Sequence, residues 1–565
     1  MTQSPATAAN SQHHQHRPNA LQRPNILLIL SDDQGSWALG AAGNDEIITP
    51  ELDRLAARGV RFSNFFCASP VCSPARASLM TGMIPSAHGV VDWLRGGNVN
   101  REDIQALAGH RYYEGYFASE DRAIGYLDGL ETYTDILARN GYDLRLAGKW
   151  HLGDSLRPQH GFTGWSTILR GGCNYYGADV VHNGRIGWTE EYITDWITDR
   201  ALENLDELLT RPQDSRAQDS RAPWYLSVHY TAPHSPWDYE QHPEEIRALY
   251  ADCPFNSVPD LPYHPWQVAS APMGRGERRR ELLTGYYSAV TAMDRGIGRL
   301  FARLEAAGEL DNTFIFFLGD NGMNMGHHGI WGKGNGTRPF NLFDTSVQVP
   351  AILAWPAGGV PCGAVEDGLW SQYDFIHSLC DFAALEHSLG ERTDLPGRSF
   401  APTLLSAKSE HPDDRPLVDD RPLVVFDEYG PARMIRTRHD KLICRHPYGP
   451  DEYYDLVADP GEEQNLLADP AAADPAVSDP AAAGRVAERV AELRRELIRW
   501  FARYVDPEID AAKEPVSGSG QFDRPGSRGS RAEVYAPLPP RVSELEAGPA
   551  AEPAVRPAAE PEPSS

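Results

Sequence analysis

The sequence predicts an α/β fold: a large, mostly parallel or mixed sheet sandwiched by helices, with a smaller C-terminal α+β subdomain of antiparallel strands and one helix. Three observations carry this expectation. Short continuous apolar runs, of the kind buried on both faces of a parallel sheet, recur along the first two thirds of the chain. Segments of helical periodicity alternate with them, as crossover connections require. Beyond about residue 410 the pattern changes to closely spaced short strands and a single late helix.

Asn25–Leu30 is the first apolar run, and Ser31-Asp32-Asp33-Gln34-Gly35 follows it. Thr49-Pro50 supplies an N-cap and a first-turn proline for a helix carrying Leu52, Leu55 and Ala56, closed by Gly59. Val60–Phe66 reads as a second strand, leading to a turn at Cys72. There Ser73 is a good N-cap and Pro74 suits the first helical position. Cys72 therefore faces a helix N-terminus, where unpaired N–H groups and the helix dipole favour an anion. Residues 92–130 lack strong periodicity and read as an insertion, with Trp93, Tyr112, Tyr113, Tyr116 and Phe117 among them.

A helix from about Tyr133 to Asn140 precedes the strand Tyr142–Ala147, which ends at Gly148-Lys149-Trp150-His151. A repeated QDSRA at 213–222 is low-complexity loop. It is followed by the strand Trp224–Tyr230 and the turn Ala232-Pro233-His234-Ser235-Pro236. Leu282, Tyr286, Val290, Met293, Ile297, Leu300 and Leu304 recur at helical spacing over 279–307. Thr313–Leu318 is a further buried strand, directly followed by Gly319-Asp320-Asn321-Gly322.

These elements divide the chain into a polar tail at 1–22, expected to be disordered, a large α/β domain at 23–408 and a C-terminal subdomain at 409–507. A Pro-, Ala- and Glu-rich tail expected to be disordered occupies 508–565. The linker at 409–422 carries a duplicated DDRPLV. In the subdomain, Leu423–Phe426, Arg433–Thr437 and Lys441–Cys444 read as strands. The helix at 485–505 turns Val486, Val490, Leu493, Leu497, Trp500 and Tyr504 to one face as core.

The 565 residues carry a formal net charge of −27. That field disfavours nucleic acid and anionic membranes as partners, so an anionic substrate needs a local basic pocket. The first apolar run is too short for a membrane span. No secretory signal is visible in residues 1–24, and the seven cysteines do not read as a disulfide scaffold. A cytoplasmic location is expected, with export left open.

In an open parallel sheet, ligands collect at the carboxyl ends of the strands. The polar clusters Asp32-Asp33, Lys149/His151, His234 and Asp320-Asn321 fall there. Three carboxylates and an amide oxygen suit a hard divalent cation, with Ca²⁺ preferred for its tolerance of several oxygen ligands and Mg²⁺ or Mn²⁺ as alternatives.

Cys72-Ser73-Pro74-Ala75-Arg76 continues to Thr81-Gly82 and completes the pattern C-x-P-x-R-x-x-x-x-T-G. It resembles the signature of the sulfatase family, in which the cysteine is converted to formylglycine (3-oxoalanine) by a formylglycine-generating enzyme. Further segments match: G-K-W-H-L-G at 148–153, A-P-H-S-P at 232–236, H-G-I-W-G-K at 328–333, and Tyr454-Asp455-Leu456 with Asp459-Pro460-Gly461-Glu462. The resemblance runs from about residue 23 to 505 and implies the alkaline phosphatase-like fold.

It also implies metal-dependent hydrolysis of a sulfate ester. Asp32, Asp33, Asp320 and Asn321 would be ligands, joined by an oxygen from modified Cys72. Arg76, Lys149, His151, His234 and Lys333 would be catalytic, with the lysines and histidines around the sulfate oxygens. The aldehyde hydrate would supply one hydroxyl to attack sulfur and a second to expel sulfate. His328 sits where the family usually has a histidine and is expected to bind substrate at the rim, while His327 takes a place often held by an acid. The insertion, with Trp93, Arg95 and His88 and with Asp92 nearby, is the candidate substrate rim. The natural substrate expected is a sulfated carbohydrate or small metabolite.

Two alternatives stand beside this. A phosphonate monoester or phosphodiester hydrolase shares C-x-P-x-R, but the pairs Asp32-Asp33 and Asp320-Asn321 favour sulfate. A catalytically silent binding protein on the same fold would be expected to have lost Cys72, Arg76, Asp320 or Lys333, and none is missing.

Overall fold

The computed structural model describes residues 23–105, 120, 122–210, 222–406, 421–427, 432–446, 449–468, 480–513, 516–527, 534–538 and 540–546. The N-terminal tail, the aromatic run 112–117, most of the QDSRA repeat and most of the 409–422 linker lie outside these residues.

A ten-stranded sheet organises the larger domain. From one edge its strands are Ala364–Glu366, Val60–Phe62, Ala351–Ala354, Thr313–Gly319, Asn25–Ser31, Trp224–His229, Asp143–Gly148, Phe162–Ile168, Ala178–His182 and Arg185–Thr189. The central five, Thr313–Gly319 through Phe162–Ile168, run parallel. Ala351–Ala354 is antiparallel to both its neighbours, and the far edge is an antiparallel hairpin. The sheet is thus mixed, with a parallel centre.

Alternation along the Asn25–Ser31 strand explains the layering. Ile26, Leu28 and Leu30 join a core with the helices Tyr133–Arg139 and Phe375–Phe382. Leu27 and Ile29 face the opposite core, built by Pro50–Ala57, Ile193–Thr210 and Glu277–Ala306. Each of these strand side chains is fully buried, which is worth about 1.5–3 kcal/mol apiece.

The expected single strand Val60–Phe66 is two. Val60–Phe62 lies in the large sheet, whereas Phe65–Phe66 pairs with Trp370–Ser371. Ser63 and Asn64 break the run by bonding the chain at 366–367: the Ser63 N–H donates to the Glu366 carbonyl, and Asn64 Nδ2 to that of Asp367.

The C-terminal unit is a four-stranded antiparallel sheet, Leu423–Asp427, Ala432–Arg436, Asp440–Arg445 and Glu452–Asp455. The Pro480–Tyr504 helix packs Val490, Leu493, Leu497 and Phe501 against Ile435, Leu442 and Cys444. Val71 and Cys72 belong to the same apolar cluster, so the small sheet backs the cysteine turn.

The expectation of a disordered tail from 508 fails for the described residues 516–527, 534–538 and 540–546. Gln521 is fully buried, accepting from the Val91 and Asp92 N–H groups and donating to the Gly89 and Asp523 carbonyls. Its backbone exchanges bonds with Trp93 and Arg95. Composition misled here because the tail is ordered by hydrogen bonds to the 89–95 loop and by a few apolar residues, Val516, Val534 and Tyr535, that join the cluster behind Cys72.

Candidate active site

Register decides where the site lies. Ser31 pairs with Gly319, Leu30 with His229, and His229 with Gly148. Four strands therefore end nearly level, and the segments beginning at Asp32, Asp320, Lys149 and Tyr230 leave the sheet at one edge. Residues almost 290 positions apart meet there: Asn321 Nδ2 donates to Asp33 Oδ1 at 2.8 Å.

Asp32, Asp33 and Asp320 are buried, each with an oxygen within 4.8 Å of the others. Their outer oxygens are held by cations. Lys149 Nζ donates to Asp32 Oδ2 at 2.5 Å, Arg76 Nε to Asp320 Oδ2 at 2.9 Å, and Lys333 Nζ to Asp33 Oδ1. Asp32 Oδ1 and Asn321 Oδ1 are buried without a hydrogen-bond partner among the described residues.

Unsatisfied buried oxygens are costly. Set beside three carboxylates, these two fit a hard divalent cation bound through oxygen. The charges agree. Burial, then the field of Asp32, pushes the Asp320 carboxyl up to about 7. Burial works against ionising Asp32 too, yet Lys149, helped by His234 and Arg76, holds it well below the usual carboxylate range. Asp33 carries a left-handed φ of 59°, backbone strain of the sort that persists where surrounding contacts enforce it.

Cys72 opens the Cys72–Thr81 helix, which has Val71 as its N-cap. Ser73 is therefore not the cap. Its hydroxyl instead accepts the Leu94 N–H at 3.1 Å, tying the helix to the 89–95 loop. Lys333 Nζ approaches Cys72 Sγ at 3.5 Å. Burial pushes the thiol up, with Lys149 and Lys333 pulling the other way.

A cavity of about 770 Å³ opens above Cys72, walled by His151, His234, Lys333, Trp93 and Arg95 among others. His151 Nε2 donates to the Leu94 carbonyl at 2.9 Å, while its buried Nδ1 has no hydrogen-bond partner among the described residues. Burial, with Lys149 adding to it, keeps this imidazole neutral, well below the ordinary histidine range. His234 Nδ1 donates to the Ser235 carbonyl at 2.7 Å, and its Nε2 lies 3.7 Å from Asp33 Oδ2.

Four of the six residues expected to be catalytic thus line the cavity. Arg76 and Lys149 do not. Both are buried beneath it, bracing Asp320 and Asp32, and Arg76 also donates to the Lys149 carbonyl at 3.0 Å.

Two of the four expected rim residues, Trp93 and Arg95, are in the wall, and two are not. His88 is buried under the loop, with Nε2 3.0 Å from Ser78 Oγ and Nδ1 accepting the Val90 N–H. Burial lowers its pKa to about 3. His328 stacks on Phe343 at 3.8 Å, away from the cavity wall, and burial followed by Lys441 lowers it to about 4. Both are structural residues. His327 packs against Trp37.

The cavity also has walls that the sequence reading missed. Arg170, Gly171 and Gly172 follow the Phe162–Ile168 strand, and Gly518, Ser519 and Phe522 come from the strap. A Cβ at Gly171 would fall 2.0 Å from His151 Nε2, and one at Gly172 would fall 3.3 Å from His234 Cε1. Glycine is required at 171 so that the imidazole has room. The signal lies in the sequence, since Arg-Gly-Gly comes one residue after the end of a strand, close to where the other polar clusters sit, but the expected strands do not include Phe162–Ile168.

Comparison with known proteins decides the family. The profile described as Sulfatase matches residues 24–385. The chain belongs to the sulfatase family. It is 26% identical over 534 residues to an N-acetylglucosamine-6-O-sulfatase of Bacteroides thetaiotaomicron, covering 81% of this chain and 84% of the relative. It is 30% identical over 420 residues to the human N-acetylgalactosamine-6-sulfatase, covering 70% and 68%.

Among solved structures, one in complex with its substrate D-glucosamine-2-N,6-O-disulfate superposes with a TM-score of 0.66 at 22% identity, covering 87% of this chain and all of that one. A phosphonate monoester hydrolase of Silicibacter pomeroyi superposes at 0.61 with 18% identity, covering 86% and 97%. These structural likenesses show that the sulfatase has the alkaline phosphatase-like fold. Family membership, with the sulfatases it is similar to in sequence, makes it an enzyme that hydrolyses sulfate esters.

Proposed function

We propose that this sulfatase releases inorganic sulfate from a sulfated carbohydrate, using Cys72 matured to formylglycine by a formylglycine-generating enzyme and a divalent cation, Ca²⁺ foremost. The observation that carries this reading is the position of Cys72. It sits in the first turn of a helix, beside Lys333 and the buried carboxylate cluster, at the base of a cavity large enough for a sugar. The sulfatases named above act on sulfated amino sugars, which supports the substrate class.

Asp32, Asp33, Asp320 and Asn321 would hold the cation, which would supply positive charge to offset the negative charge that builds up on the nucleophile and the transferring group. Formylglycine, once hydrated, offers one hydroxyl for attack at sulfur and a second for release of sulfate. The chain's own residues supply the rest. Lys333 contributes a cation at the sulfate oxygens. His151, its Nε2 proton committed to Leu94, keeps a lone pair on Nδ1 to accept a proton in the cavity. His234 has its Nδ1 proton committed to Ser235, so Nε2 is the nitrogen that carries a proton to the departing alkoxide. Arg76 and Lys149 orient Asp320 and Asp32 from behind, and Lys149 holds Asp32 in its charged form.

Two measurements on one purified sample test this. Peptide mass spectrometry should find the aldehyde or its hydrate at residue 72, and sulfate should be released from 4-nitrophenyl sulfate and from N-acetylglucosamine 6-sulfate. A matured sample that releases sulfate from neither ester would overturn the reading.

A further inference from the structure

The chain has 79 acidic and 52 basic residues, yet among the described residues none that lines the cavity is Asp or Glu. The wall instead presents Arg95, Arg170 and Lys333 together with His151 and His234. Lys333 and the histidines sit close to Cys72 and the carboxylates, where the sulfate ester reacts. The two arginines are additional to that need.

Each arginine is held in place from behind. The Arg95 N–H donates to the Gln521 carbonyl at 2.8 Å, and its guanidinium donates to the Ser519 carbonyl at 3.3 Å. The guanidinium also lies 5.8 Å from the Trp93 ring centroid and 5.7 Å from that of Phe522. Arg170 Nε lies 3.7 Å from Glu120 Oε1. That carboxylate is itself buried and fixed by the Asn98 N–H and Nδ2, at 3.0 and 2.6 Å. Arg170 remains one-third exposed to the cavity side of this anchor.

Two guanidiniums in one cavity repel. Burial, partly offset by Glu120 and then reinforced by Arg95, lowers the proton affinity of Arg170. An anion placed between them would relieve both the repulsion and the desolvation. A planar guanidinium fork matches the oxygens of a carboxylate or a sulfate two at a time. Trp93 and Phe522 add aromatic side chains to the cavity wall, of the kind against which the apolar face of a sugar ring packs.

Resting on the sulfate-ester reading above, we propose that Arg95 and Arg170 form a subsite for a second anionic group, carboxylate or sulfate, on the same saccharide. The preferred substrates are then polyanionic sulfated sugars, and esters bearing one charge are poor ones.

The test compares matched esters on the matured enzyme: N-acetylglucosamine 6-sulfate, glucosamine carrying both N-sulfate and 6-sulfate, and a uronate-linked N-acetylglucosamine 6-sulfate. The wild type should favour at least one doubly charged ester by about tenfold or more in kcat/KM, mainly through KM. Which of the two is favoured identifies the second group as sulfate or carboxylate. Arg95→Gln and Arg170→Gln should each bring that preference towards unity, with the Lys variants intermediate. If those variants do not fold, competitive inhibition of the wild type by glucosamine N-sulfate, glucuronate and N-acetylglucosamine gives the same ranking without them.

Equal kcat/KM and equal inhibition across charge classes would overturn the subsite, as would a preference that survives both Gln substitutions. Because N-acetylglucosamine 6-sulfate reports hydrolysis by itself, failure of the subsite is distinguishable from failure of the sulfatase reading.

Discussion

The floor of the cavity is built by the sheet. Asp32, Asp320 and Lys149 each come within one residue of a strand end, in a fixed register, with Lys149 bonded to Asp32 and Arg76 to Asp320. Its rim is built by irregular chain: the 89–95 loop, the Arg170-Gly171-Gly172 turn and a strap from residues 516–527. The difference teaches how the two jobs separate. Chemistry that needs sub-ångström placement is put on rigid parallel strands, whereas recognition of the rest of the substrate is delegated to loops that one hydrogen-bonded residue can fasten.

The comparison can be broken first at the floor. Cys72→Ala should abolish sulfate release, a loss of roughly 10⁴-fold or more in kcat, with the thermal transition essentially unmoved. Near-wild-type turnover in that variant would mean the floor is not where the reaction occurs.

Gly171→Ala tests the junction of floor and rim. Its Cβ would meet the His151 ring at 2.0 Å, displacing a group whose position matters at the ångström scale. A fall of about 10²-fold in kcat is expected, read by steady-state kinetics on 4-nitrophenyl sulfate.

Asp92→Ala tests the rim alone. Asp92 Oδ2 accepts the Gly518 and Gly520 N–H groups at 3.1 and 3.2 Å, so its loss should free the strap. KM for a saccharide sulfate should rise about tenfold, with a much smaller change in kcat. A loss confined to kcat would make the strap part of the floor.

The smallest kinetic effect belongs to His88. His88→Ala should leave kcat/KM within about twofold and cost about 1–3 kcal/mol of stability, through the lost bonds to Ser78 and Val90. Its pH dependence has a definite sign. The folded protein keeps His88 neutral down to about 3, whereas the unfolded chain takes up its proton near the ordinary value of about 6.5. Below that value the unfolded state binds more protons, so this contribution is intact above about pH 6.5 and shrinks as pH falls towards 3. Urea titrations of wild type and variant at pH 7.5 and pH 5 should show the stability gap narrowing at the lower pH.

The same division explains what was legible in the sequence. Buried parallel strands announce themselves as apolar runs, so the polar residues at their ends, Asp32-Asp33, Lys149, His234 and Asp320-Asn321, are legible in the sequence. The Cys72 motif fixed the family. What composition and periodicity could not show was which way a polar side chain faces: Arg76 and Lys149 point behind the carboxylates, and His88 and His328 into packing. The strap was illegible for a different reason. Its order comes from Gln521 and Asp92 bonding backbone groups over 400 residues away, and nothing in a Pro-, Gly- and Ser-rich segment records a partner so distant.

The most direct test of the central claim is a crystal structure of the matured enzyme grown with Ca²⁺, with the ion located by its anomalous signal. The peak should lie among Asp32, Asp33, Asp320 and Asn321, with Asp32 Oδ1 and Asn321 Oδ1 both at coordination distance, about 2.3–2.6 Å. A calcium peak elsewhere, with those two oxygens satisfied by protein donors, would contradict it.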